Sequence, residues 1–192
     1  MSFIKILDNT LPIEMFNIVH EEFGKGIWGF SNRSQSGDIN TSFAADEFCR
    51  KVNELISEKR FNESNVVYNL WNLINSKLEI EKNYKNSLHR IWLNGGPPLF
   101  DQTIHEDSED TYSKDLTIIY FLHSKWELLW GGELLIYDVS KTRVTGGTFP
   151  LPNRAVVFPS YLPHRGVAVS RISPVMRISI AFQCKYDNTL HV

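Results

Sequence analysis

Apolar residues recur about once per helical turn through much of the first half of the chain, then gather in short extended runs through the second. Met15, Val19 and Phe23 repeat every four residues behind Thr10-Leu-Pro12, which predicts a helix with a capping threonine and an early proline. The period breaks between Gly24 and Asn40. Gly24, Gly26, Gly29 and the polar run from Ser31 to Gly37 predict a surface loop anchored by Trp28 and Phe30. A second helix is expected from about Ala44, with Phe48, Val52, Leu55 and Ile56 on one face. A third carries Val66, Leu70, Leu73, Ile74 and Leu78. These stripes need a sheet to cover.

The character changes near Tyr84. Leu88 to Leu93 is apolar and extended, ending at Asn94-Gly-Gly-Pro-Pro98. Further strands are expected at Leu116–Leu122, Gly131–Tyr137 (entered through a glycine pair), Arg154–Pro159 and Val175–Phe182. Short strands separated by Gly/Pro turns, with helices placed earlier, argue an α+β protein: a jelly roll backed by N-terminal helices. With no internal repeat or low-complexity segment, residues 1–192 read as one domain, 1–83 helical support and loop, 84–183 the jelly-roll core.

Composition changes little in this picture. A chain of 192 residues with 42% hydrophobic and 22% charged residues is ordinary for one soluble domain. A net charge of −2 without a long Lys/Arg run argues against nucleic acid or a membrane surface as partner. Neither a secretory signal pattern nor a transmembrane-length apolar run is present, and Cys49 and Cys184 form no ligand spacing. The chain is therefore expected to be cytoplasmic, with reduced packing cysteines.

One stretch carries chemistry. If Ile104-His-Glu-Asp107 is extended, His105 and Asp107 share a face, since strand positions i and i+2 do. His164, 57 positions after Asp107, follows a strand that ends at Pro159 and a short loop. Two histidines and a carboxylate on one face leave coordination positions open, the set diagnostic of non-haem Fe(II) oxygenases. The motif alone is weak: with six histidines and 22 acidic residues, about 0.7 matches to H-x-[DE] arise by chance. A second match, His20-Glu21-Glu22, lies in the first predicted helix, where i and i+2 diverge, and reads as solvated surface.

The second half resembles the Fe(II)/2-oxoglutarate-dependent dioxygenase superfamily, particularly its prolyl-4-hydroxylase-like branch. The resembling residues are His105-x-Asp107, Ile118–Leu122, Trp126, Trp130-Gly-Gly-Glu-Leu-Leu-Ile-Tyr137, Asn153–Pro159, His164-Arg165 and Arg177-Ile-Ser179, in the family's order over roughly 88–183. The resemblance implies a double-stranded β-helix of the jelly-roll or cupin type, with Fe(II) on His105, Asp107 and His164. It further implies 2-oxoglutarate and O₂ as co-substrates, and succinate and CO₂ as co-products of hydroxylation. In the family an arginine on the last strand clamps the far carboxylate of the co-substrate. Arg177 fits that role, with Ser179 on the same strand face, while Arg165 and Arg171 suit surface or substrate better.

The chain departs from the family where tyrosines are common. Phe121 and Trp92 stand at those positions, with Asn94 on the same strand face as Trp92, and Leu134 lines the apolar middle of the expected pocket. The segments Gly24–Asn40 and Asp107–Asp115 are expected to flank the mouth. A prolyl or peptidyl residue, a free amino acid or another small metabolite would all suit this core. Two other classes stay open: a jelly-roll protein with a structural metal, and a metal oxygenase that needs no keto acid.

Overall fold

The computed structural model describes residues 4–24, 29–32, 42–44, 50–51, 66–78 and 88–186. Its strands are β1 (Lys5–Leu7), β2 (Gly29–Asn32), β3 (Ser42–Ala44), β4 (Arg50–Lys51), β5 (Leu88–Gly96), β6 (Leu116–Phe121), β7 (Leu134–Tyr137), β8 (Val144–Thr148), β9 (Ala155–Pro159), β10 (His164–Gly166) and β11 (Arg177–Cys184). Among the described residues the helices are α1 (Ile13–Gly24) and α2 (Val66–Leu78), and a 3-10 turn spans Leu128–Trp130.

The strands form two antiparallel sheets. The larger runs β1-β9-β6-β11-β5-β3-β2 with β4 also on β5, and the smaller runs β10-β7-β8. This is the expected double-stranded β-helix backed by helices. Strand alternation sorts the core into two layers. Ile91, Leu93, Ile118, Tyr120, Ile180 and Phe182 turn outward and pack with Phe16, Val19, Phe23, Leu70, Trp71 and Ile74 of the helices. Ile119, Phe121, Val156 and Phe158 turn inward against Leu134, Ile136 and Leu162. The polar inner-face residues of β5 and β11 are what remains to line a site.

A buried asparagine ties the N-terminus to this frame. Asn153, with a positive φ of 57°, accepts at Oδ1 from the Leu11 N–H (2.8 Å) and the Tyr120 hydroxyl (2.8 Å), and its Nδ2 donates to the Leu11 carbonyl (2.9 Å). Three buried hydrogen bonds on one side chain fix where α1 enters.

Several expectations need correction. Thr10 does not cap α1; its hydroxyl donates to the Leu7 carbonyl, and Leu11 is held by Asn153. Within the span read as a second helix from Ala44, Ala44 ends β3 and Arg50–Lys51 form β4. Phe48, Cys49, Val52, Leu55 and Ile56 lie outside the described residues. Residues 29–32, read as loop, pair with β3, while the rest of Gly24–Asn40 beyond Gly24, Trp28 included, lies outside them. The third helix matches its expected span. Among the described residues, no helix is long and apolar enough to cross a membrane. Cys184 is buried and free, and burial pushes its thiol pKa up, as befits a packing residue.

Candidate active site

The stretch from Ile104 to Asp107 is not a strand. His105 makes a single antiparallel bridge to His164, with N–H to carbonyl distances of 3.1 and 2.9 Å, and the Asp107 N–H turns to the Ser160 carbonyl at 3.0 Å. Two backbone pairings to different residues replace a ladder, yet the side chains still converge. One ligand atom from each of His105, Asp107 and His164 lies within 4.8 Å of the others.

The two imidazoles are held by the nitrogen a metal would not use, and the carboxylate is held by a hydroxyl. The Nδ1–H of His105 donates to the Thr103 carbonyl (2.9 Å), and that of His164 donates to the Leu162 carbonyl (3.0 Å). A carbonyl only accepts, so both imidazoles carry the proton at Nδ1 and present the lone pair of Nε2. Asp107 Oδ2 accepts from the Thr117 hydroxyl at 2.6 Å. That proton being committed, the Ser160 hydroxyl donates to Thr117 across 3.0 Å. Burial lowers the His164 pKa, opposed in part by the Asp107 carboxylate, so the ring stays neutral and able to ligate. Beside the triad, Glu106 pairs with Lys141 at 2.9 Å.

All nine residues singled out in the sequence line one cavity of about 300 Å³: His105, Asp107, His164, Arg177, Ser179, Trp92, Asn94, Leu134 and Phe121. Arg177 is 5% exposed and has no carboxylate partner among the described residues. Its Nη1–H donates to the Gly132 carbonyl at 3.2 Å, and its Nε has no partner. Burial lowers its pKa to about 10, with the charges of Asp101 and Glu133 opposing. A buried guanidinium with an unused donor is costly, and a carboxylate is its natural complement.

The slot for that guanidinium is shaped by glycine. A Cβ added to Gly166 would overlap Nη1, Nη2 and Cζ of Arg177, and one added to Gly96 would come within 3.7 Å of Nη2. Gly132, at φ 75°, lets its carbonyl reach Arg177 while a Cβ there would crowd Trp126 at 3.0 Å. The rival arginines are otherwise engaged or remote. Arg165 donates to Asp101 (2.9 Å) and to the Tyr137 hydroxyl (3.0 Å), and Arg171 is exposed.

Sequence reasoning missed Thr117, Ser160, Gly166, Arg90 and Gln183; the last three also line the cavity. It also misjudged His20, whose Nδ1–H donates to the Leu122 carbonyl (2.7 Å) and whose ring stacks on Phe16, so it is a packing residue rather than a solvated one. Of the expected flanking loops, Asp107–Asp115 is present, with Tyr112 exposed at its tip.

Comparison with known proteins agrees with this geometry. Residues 97–183 match the 2OG-Fe(II) oxygenase superfamily. No curated protein matches the sequence. A prolyl hydroxylase from Trichoplax adhaerens, solved with a hypoxia inducible factor oxygen degradation domain peptide fragment, superposes with a TM-score of 0.66 at 17% identity, covering 97% of this chain and 84% of that one. A Pseudomonas putida prolyl-4-hydroxylase gives 0.57 at 15% identity, with 97% and 94% covered. A 2OG-Fe(II) oxygenase family oxidoreductase from Burkholderia pseudomallei gives 0.61 at 12%, with 96% and 87% covered. At these identities the likeness is one of fold.

Proposed function

We propose that this chain, whose residues 97–183 match the 2OG-Fe(II) oxygenase superfamily, is a prolyl-4-hydroxylase-like hydroxylase, with iron on His105, Asp107 and His164 and the co-substrate clamped by Arg177. It is a 2-oxoglutarate-dependent non-haem iron dioxygenase, and Fe(II), 2-oxoglutarate and O₂ are its cofactor and co-substrates. Bound together, these supply the oxidation of an unactivated C–H bond, coupled to loss of CO₂ from the keto acid and release of succinate. Our reading takes residues 1–192 as one domain. The substrate class is a prolyl or peptidyl residue or a small amino-acid-like molecule.

The chain's own residues account for the rest. Thr103, Leu162 and Thr117 hold the two imidazoles and the carboxylate in ligating orientation, the outer-shell support that metal ligands require. Three protein ligands on one face leave room for the keto acid and O₂. Leu134, Phe121 and Ile119 keep the middle of the cavity apolar, which strengthens the charge pairing at its end. Phe121 and Trp92 offer no hydroxyl to the co-substrate, so Arg177 carries more of the binding, with Ser179 and Asn94 beside it.

The observation that carries this reading is the guanidinium of Arg177, buried without a carboxylate in the same cavity as the triad. A structural metal site would need no such charge, nor would an oxygenase independent of a keto acid. Succinate formation from 2-oxoglutarate, followed with and without Fe(II), separates the proposal from both. Iron-dependent succinate is expected; iron binding without any succinate contradicts the proposal.

A further inference from the structure

A second arginine opens onto the cavity, and the co-substrate cannot use it. On the inner face of β5, Arg90 lies opposite Gln183 of β11, which lies opposite Thr117 of β6, the residue that holds Asp107. Arg90 is thus two strand spacings, about 10 Å, across the sheet from Thr117. Gly96, the register partner of Arg177, is six residues further along β5, or about 20 Å. On the proposed reading the co-substrate places one carboxylate on Arg177 and its keto-acid end on the metal, so it has no carboxylate left for Arg90. The two cationic ends of the cavity serve different molecules.

Charge balance says which kind of molecule. The two positive charges of Fe(II) and the one of Arg177 are matched by Asp107 and the two carboxylates of 2-oxoglutarate. Glu106, the other acid on the cavity wall, is paired with Lys141. Arg90 remains. Its guanidinium lies 3.8 Å from the centroid of the Trp92 ring, which braces it, and among the described residues it has no carboxylate partner. A braced, half-buried cation beside an amide side chain, Gln183, on the metal side of the cavity is built to take an anion that is planar and small.

We infer that the substrate is an amino-acid-sized carboxylate, its carboxylate on Arg90 and Gln183 and its oxidised carbon facing His105, Asp107 and His164. The inference rests on the proposed reading that the triad holds iron and Arg177 holds 2-oxoglutarate. A cavity of about 300 Å³ shared with the co-substrate favours a free small acid over a long peptide. A neutral internal residue of a protein would leave Arg90 uncompensated next to a charge-balanced centre.

The test uses the full chain loaded with Mn(II) and 2-oxoglutarate. Calorimetric titration compares N-acetyl amino acids with their matching carboxamides, covering the standard side chains. The best-bound acid should bind at least about tenfold more tightly than its amide, as expected for a charge-assisted pair. In Arg90→Gln that preference should shrink below about threefold, and Arg90→Lys should restore part of it. Affinity for 2-oxoglutarate, titrated separately, should stay within about twofold of wild type in both variants, which also shows that they are folded. The inference is overturned if no acid is preferred to its amide, or if the preference survives Arg90→Gln. Loss of 2-oxoglutarate affinity in Arg90→Gln would instead place the co-substrate at Arg90. That result would overturn the reading on which the inference stands.

Discussion

The two ends of the cavity are finished to different degrees. At the metal end every supporting bond is already made: Thr103, Leu162 and Thr117 each hold one ligand, and burial keeps His164 neutral. At the other end Arg177 is buried with one hydrogen bond at 3.2 Å and an Nε that has no partner. The metal end has its ligand side chains already oriented by hydrogen bonds. The arginine end bears a desolvation cost, met in part by the Gly132 carbonyl, that an incoming carboxylate would offset further. On the proposed reading, iron would bind a prepared site and 2-oxoglutarate would satisfy an unsatisfied one.

The largest effect is expected at the metal end. His164→Ala should abolish stoichiometric iron, read by metal analysis of the anaerobically loaded protein, while His20→Ala keeps it. Full iron in His164→Ala would remove that residue from the ligand set. At the other end, Gly166→Ala places a methyl group where the guanidinium lies. It should weaken 2-oxoglutarate by about 30-fold, by displacing a desolvated charge from its partner, and leave iron stoichiometry intact. Calorimetry with 2-oxoglutarate checks the first half and metal analysis the second.

Thr117→Val sharpens the contrast from the metal side. It removes the hydroxyl that fixes Asp107 while keeping the shape of the side chain, and should lower iron affinity by about tenfold. An unchanged iron titration would mean that Asp107 is held by the backbone alone.

The smallest effect concerns stability. His123 is 5% exposed, sits 4.3 Å from the Trp126 ring, and has an Nε2 without a partner. Burial drives its pKa down to about 3, reinforced by the charge of Arg177. Its folded pKa lies below the unfolded 6.5, so the unfolded chain binds the extra proton first. The stability associated with neutral His123 is present above pH 6.5 and is lost as the pH falls from there toward 3. His123→Phe should flatten the dependence of Tm on pH in that window. An unaltered slope would assign the acid sensitivity to other groups.

Much of this was legible in the sequence, for physical reasons that differ by region. The inner strands announced themselves because β-branched and aromatic runs bounded by Gly and Pro have few other structures open to them. Phe48, Val52 and Ile56 were ambiguous. A spacing of four is one helical turn and also two strand repeats, so the pattern alone could not distinguish the helix expected there from β4 at Arg50–Lys51. Strand β8 was invisible, since Val144-Thr-Gly-Gly-Thr148 has no apolar alternation and is defined by pairing with β7. The triad and Arg177 were found through residue chemistry and order. Gly166 was missed because its contribution is the absence of a side chain. Arg90 was missed because only the register with Gln183 and Thr117 places it on the metal side.

A metal triad and a carboxylate clamp that share one cavity should nonetheless depend on separate residues. Anaerobic titration of 2-oxoglutarate into Fe(II)-loaded wild type and Arg177→Ala, with iron measured in the same samples, tests it most directly. Equal iron is expected in both, with 2-oxoglutarate at least about 30-fold weaker in the variant and partly recovered in Arg177→Lys. Equal 2-oxoglutarate affinity at equal iron, with the loss appearing instead in Arg171→Ala, would contradict it.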